Sequence, residues 1–229
     1  MKTRNGFVSN SSSSSFLLFL DRIPESIEDV KHLLFDSTQS EYINPYVWDD
    51  TIERDWPIEQ VSEIVLADIE EFLAYTEIEK SECIHADLQD IASDFSDKIL
   101  KEMETYSNFL DFWNTPQKEE LDSSGWVWPK KKKTREELTP YDLVFEEDQS
   151  YPQKGASQEE IDTYHAEQTV RWEKFYQLVA TYVEKIVEKL PKNKQIVKLE
   201  YSDNDGTLRS AMEHGDLFKN VPHIRISHH

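Results

Sequence analysis

One cysteine in 229 residues leaves nothing for an internal disulfide to join. Cys83 alone suits a reducing compartment, so the expected location is the cytoplasm. Glycine is scarce as well. Five glycines, with Gly6 isolated in Arg4-Asn5-Gly6, are too few for a loop that cradles phosphate through its backbone. No apolar run approaches the roughly 20 residues that a membrane helix needs. The longest near the N-terminus is Phe16–Leu20, and it is preceded by Ser11 to Ser15 where a signal peptide would be greasy. The N-terminus is therefore expected to belong to the mature protein.

Positive charge is also short: 25 Lys and Arg stand against 46 Asp and Glu, a net charge of −21. Residues 21–122 hold 28 acidic and 7 basic side chains, while the remaining 127 hold 18 of each. The imbalance belongs to one segment. Such a surface repels nucleic acid and anionic membranes and attracts basic partners. Acidic helical faces also confer solubility, which accounts for the same charge without a partner. A hydrophobic content of 38% with six tryptophans is enough to build a core.

Phe16–Leu20 reads as a short buried strand, brief and ended by Asp21-Arg22. A helix follows, with Ile27, Val30 and Leu34 on one side and Pro24 in its first turn. The segment from Ser37 to Arg54 reads as a loop crossing apolar surface. Ile58, Val61, Val65, Ile69 and Phe72 then form a helical stripe opening at Pro57. A longer helix is expected from Ser81 to about Phe109. Between Asn114 and Gly155 periodicity fails, and Trp126-Val127-Trp128-Pro129 with four lysines is open to reading as loop, hairpin or partner-binding arm. Ser157-Gln158-Glu159-Glu160 is a capping box, and it opens a helix stopped by Pro191, with Tyr164, Trp172, Phe175, Val179, Tyr182 and Ile186 on one face. Val197, Leu199 and Tyr201 alternate as a strand, and Asp203-Asn204-Asp205-Gly206 is a turn. Thr207 to Gly215 suits a short helix or a returning strand, and Ile224 and Ile226 mark a last strand.

The expected class is α/β, with α+β left open. Residues 1–36 and 192–229 form a small sheet-bearing core shared by both termini, residues 37–191 form a largely acidic helical insertion, and all 229 belong to one domain. In this picture the serines run along the rim of the sheet.

Arg4-Asn5-Gly6-Phe7-Val8-Ser9-Asn10, followed by Ser11 to Ser15 and Phe16, resembles a leader found on many otherwise dissimilar proteins of bacteria and their phages. The tail is similar to a segment of some of the same proteins. It runs from Glu200-Tyr201-Ser202-Asp203-Asn204-Asp205-Gly206 through Glu213-His214-Gly215-Asp216 to His223-Ile224-Arg225-Ile226-Ser227-His228-His229. The resemblance implies a phage-associated setting and two ends that work as a pair. It carries no activity with it.

If the three strands are parallel, Asp21, Asp203, Asp205, His228 and His229 emerge at one sheet edge, where open α/β sheets bind ligands. Asp203, Asp205, His228 and His229 suit a divalent metal whose bound water attacks a substrate, with Asp21 a further catalytic candidate. A turn and a solvated terminus explain the same residues without chemistry. An EF-hand fails, because Tyr201 and Met212 stand where Asp and Glu are needed. Cys83 reads as structural, since Glu79 and Glu82 oppose formation of a thiolate.

Two function classes remain. The first is a soluble, non-enzymatic binding or regulatory protein whose acidic helices (Glu63, Asp68, Glu70, Glu71, Asp87, Asp90 and Asp94) engage a basic protein surface, without direct contact to nucleic acid or membrane. The alternative is a metal-dependent hydrolase or phosphoesterase with its site at the sheet edge.

Overall fold

The computed structural model describes residues 13–43, 55–114, 133–145, 152 and 156–228, excepting the side chains of Asp203 and His228. It divides into two compact units: residues 1–84 with 192–229, and residues 85–191. The boundary falls later than position 37, so the first acidic helix belongs with the sheet.

The sheet of the first unit is built by both ends of the chain, as expected. Strand β1 (Ser13–Leu20) is central, with β4 (Gln195–Ser202) on one side and β5 (His223–His228) on the other. Both pairings are antiparallel. Being central explains the unbroken apolar run: Phe16, Leu18 and Leu20 join the main core, while Leu17 and Phe19 on the other face are equally buried. The strand starts at Ser13 rather than Phe16, so Ser13, Ser14 and Ser15 lie within the sheet and not along its rim.

Helix α1 (Ile27–Leu34) begins after Pro24, where the Ser26 side chain accepts the Asp29 amide as N-cap. The expected loop contains β2 (Glu41–Ile43), paired antiparallel with β3 (Asp55–Pro57), which places buried Tyr42 opposite buried Trp56. Helix α2 (Ile58–Leu73) buries the predicted stripe of Val61, Val65, Ile69 and Phe72. Val30, Leu34 and that stripe pack with Phe16, Leu18, Val197 and Leu199 in one core.

The long helix expected from Ser81 is instead three. These are α3 (Glu77–Ser93), α4 (Asp97–Met103) and α5 (Phe109–Trp113). Ser96 and Asn108 make the breaks, each leaving helical backbone so that its side chain accepts an amide three residues on. Residues Arg135–Glu137 form one 3₁₀ turn, and α6 (Pro140–Phe145) follows. Helix α7 (Gln158–Lys189) opens with the predicted Ser157–Glu160 capping box. Its apolar face is buried only from Phe175 onward, and Trp172 stays exposed. Of the segment holding Trp126, Trp128 and four lysines, all but Lys133 lies outside the described residues; Lys133 pairs with Asp142 at 2.6 Å.

After β4 the chain turns through a 3₁₀ helix at Asp203–Asp205, and Gly206 takes a positive φ of 96° that side-chain-bearing residues rarely adopt. Helix α8 (Thr207–His214) then returns the chain toward β5, so the helical alternative holds for Thr207–His214. Among the described residues no helix is long and apolar enough to cross a membrane.

Candidate functional site

The antiparallel register decides what meets at the sheet edge. Ser13 pairs with Ser202 on one side and with His228 on the other, so the carboxyl ends of β4 and β5 lie beside the start of β1. Asp21 leaves the far end of β1, where its exposed carboxylate takes an ion pair from Lys194 at 2.7 Å. It is therefore removed from the expected constellation, because the parallel arrangement that would have included it does not occur. Asp203 and Asp205 do follow β4 at the same end as His228. With β1 between them, the two strands are about two interstrand spacings apart, roughly 10 Å. Asp205 is exposed, and His229 lies outside the described residues. Among the described residues no three His, Cys, Asp or Glu side chains gather as metal ligands.

What the edge brings together is a different, buried set. Ser14 is fully buried on β1, opposite Tyr201 on β4 and Ser227 on β5. Its hydroxyl lies 3.5 Å from Oε1 of Glu213, a carboxylate on α8 with no exposed surface. Arg225 donates to the same hydroxyl oxygen at 3.3 and 3.4 Å, and its guanidinium covers the Phe16 ring. The other Glu213 oxygen lies 3.6 Å from Nε2 of His214. That second oxygen makes no hydrogen bond among the described residues, so the buried carboxylate is only partly compensated, and an isolated charge out of water costs several kcal/mol or more. The leader and the tail segment thus meet physically at Ser14, Glu213 and Arg225.

A second polar set adjoins it. Arg209 on α8 holds Asp68 on α2 through two hydrogen bonds of 2.7 and 3.1 Å, and its guanidinium lies over the Tyr201 ring. Burial pushes the Tyr201 hydroxyl well above its ordinary pKa, and the Asp68 charge adds to that. Tyr42 donates to the Ala211 carbonyl at 2.8 Å, and burial, then the charge of Asp216, raises its pKa. Gly215 ends α8 directly under this ring. Any Cβ there would strike the Tyr42 hydroxyl, so the residue is fixed by close approach and not by backbone angle.

The hydroxyl that meets Glu213 is not open to solvent. Ser14 and Ser15 are both fully buried, and their neighbours satisfy structural demands first. Cys83 is half-buried on α3.

The acidic candidates divide. Glu63, Glu70 and Glu71 are exposed on α2, Asp90 is exposed on α3, and Asp94 is exposed just past the end of α3. Asp94 is exposed, yet enough protein surrounds its carboxyl that desolvation, then the charge of Asp90, raises its pKa. Asp68 and Asp87 do not belong to that open surface. Asp68 is committed to Arg209, and Asp87 is buried beside Leu88 and Ile91. Comparison of the chain with family models, curated proteins and solved structures finds no match.

Sequence reasoning missed Glu213 and Arg225. A signal was present: Arg225 alternates with Ile224 and Ile226, so it faces the side of the sheet opposite to theirs. Nothing local in the sequence marks Glu213 as buried.

Proposed function

We propose that the protein is a non-enzymatic binding or regulatory protein, acting in a phage-associated setting, that presents an acidic helical surface to a basic protein partner. One observation carries the reading. Glu63, Glu70 and Glu71 are exposed along α2 and take part in no ion pair among the described residues. Glu63 and Glu70, seven residues apart, lie on one side of the helix. Glu70 and Glu71 also sit in its last turn, which holds no basic residue. Carboxylates at that position oppose the negative end of the helix dipole, and a cationic partner relieves both this and their mutual repulsion. Ser14 and Glu213, through which the paired termini meet, are fully buried, which suits a scaffold. The resemblance of the two ends supports the phage-associated setting.

The test is capture of partners from a host lysate by the intact protein and by a Glu63→Lys/Glu70→Lys/Glu71→Lys variant, with metal content measured on the same preparations. A basic protein retained by the first and lost by the second supports the reading. Equal retention by both contradicts it. A stoichiometric transition metal that disappears on Asp203→Ala or Asp205→Ala would favour the hydrolytic alternative.

A further inference from the structure

The corner between α2 and α3 leaves apolar surface open to water. Ile78, in the first turn of α3, is 71% exposed, more than any other large apolar side chain among the described residues. Tyr75, in the turn itself, is 42% exposed, and its ring lies 6.1 Å from that of buried Phe72. One exposed apolar side chain is ordinary; two within four residues, with carboxylates on both sides, make a small docking face. Glu71 stands four residues before Tyr75. Glu82 stands one turn after Ile78, on the same side of α3.

The charge around this face is one-sided. Residues 58–84 hold eight acidic side chains and one basic. The cations that reach them are already placed: Lys80 pairs with Glu77 at 2.9 Å, Arg209 with Asp68 at 2.7 Å, and Lys31 lies 3.9 Å from Glu59. Glu79 accepts the Thr76 amide as part of the cap of α3. Glu63, Glu70, Glu71 and Glu82 are exposed and take part in no ion pair among the described residues.

We infer that this corner seats an apolar side chain carried within a cationic segment of a partner protein. The inference rests on the acidic-surface reading and names what the partner carries besides charge. The exposed carboxylates supply attraction and orientation, and withdrawal of Ile78 and Tyr75 from water supplies affinity. A second copy of this chain, at −21 overall, would meet the corner as repulsion, as would a nucleic acid. An uncharged apolar segment would cover the same two side chains but leave the neighbouring carboxylates losing water without gaining a cation.

The experiment compares two peptides of equal length and charge, binding to the intact protein at low ionic strength. One is a lysine–leucine peptide with leucine at every third position, and the other has serine in those places. The wild type is expected to bind the leucine peptide at least about tenfold more tightly, the scale of burying one isoleucine-sized side chain. Ile78→Gln is expected to remove most of that preference while leaving lysine–serine affinity unchanged, and Tyr75→Ser is expected to remove part of it. Because both side chains are exposed, an unchanged thermal unfolding midpoint establishes that the variants fold. Trp172→Ala, which removes an exposed ring of the other unit, is expected to keep the preference whole. Equal affinities for the two peptides in the wild type, a leucine preference that survives both Ile78→Gln and Tyr75→Ser, or one lost in Trp172→Ala would each overturn the inference. Loss of lysine–serine binding in the Glu63→Lys/Glu70→Lys/Glu71→Lys variant, with no leucine preference in the wild type, overturns this inference and leaves the acidic surface standing. An Ile78-dependent leucine preference with lysine–serine binding untouched by the charge reversals overturns the acidic-surface reading instead.

Discussion

The Ser14 hydroxyl and the Glu213 carboxylate, 199 residues apart in the chain, lie 3.5 Å from each other with no exposed surface between them. Arg225 completes the set by donating to the same hydroxyl oxygen. Hydrogen bonds that involve a charged group contribute about 1.5–3 kcal/mol, and a buried partner left unsatisfied costs a similar amount. Ser14→Ala and Arg225→Leu are each expected to lower stability by about 1–3 kcal/mol in urea unfolding. The double variant is expected to cost less than the sum, because both remove the same hub. Strict additivity would contradict the shared network.

Gly215 and Tyr42 make a tighter pair. Gly215→Ala drives a methyl group into the Tyr42 hydroxyl, and overpacking of this kind costs about 1–3 kcal/mol. Tyr42→Phe loses only the bond to the Ala211 carbonyl, about 1 kcal/mol. In the Tyr42→Phe background the alanine should cost measurably less, and thermal unfolding of the four proteins closes the cycle. An undiminished cost would place the clash elsewhere.

Glu137 reports on pH. The Thr134 amide, then Lys98 and the Thr134 hydroxyl, hold its carboxyl down at about 2 from an ordinary 4.5. A depressed carboxylate contributes stability that is fully present above 4.5 and is lost as pH falls from there through about 2. Carboxyl-carbon NMR should therefore show Glu137 titrating near 2, and Lys98→Met should move it upward. A midpoint at the ordinary value would mean that the cap does not hold in solution.

Tyr182 behaves in the opposite sense. Burial, then its bond to Asp97 at 3.0 Å, raises the phenol from 10.0 to about 12. Its contribution is complete below 10.0 and is lost as pH rises through about 12. Asp97→Asn should lower that midpoint in an ultraviolet tyrosinate titration, since the neutral amide no longer repels phenolate. No movement would separate Tyr182 from Asp97.

Much of the fold was legible because the signals were local. Pro57, Ser157-Glu160, Pro191 and Gly215 mark helix ends through their own backbone chemistry, and Ile224 with Ile226 shows the two-residue period of a strand. Strand direction was not legible. Phe16–Leu20 is apolar on both faces, so it reads the same whether its neighbours run parallel or antiparallel, and the choice moved Asp21 to the far end. The break at Ser96 was hidden for a related reason. Apolar residues continue at helical spacing through Phe95 and Ile99, and only the serine's competing hydrogen bond ends the helix. Burial of Glu213 depends on residues nearly 200 positions away and leaves no local trace. Exposure of Glu63, Glu70 and Glu71 follows directly from the apolar stripe on the other side of α2.

The most direct test of the central claim, that the exposed carboxylates of α2 form a binding surface, is the affinity of nona-lysine for the intact protein and for Glu63→Lys/Glu70→Lys/Glu71→Lys across salt. Anisotropy of the labelled peptide should show wild-type binding that weakens steeply once the screening length falls to about 10 Å, near 0.1 M salt. The variant should lose at least about tenfold at low salt and most of the salt slope. Equal affinities, or wild-type binding indifferent to salt, would contradict the account.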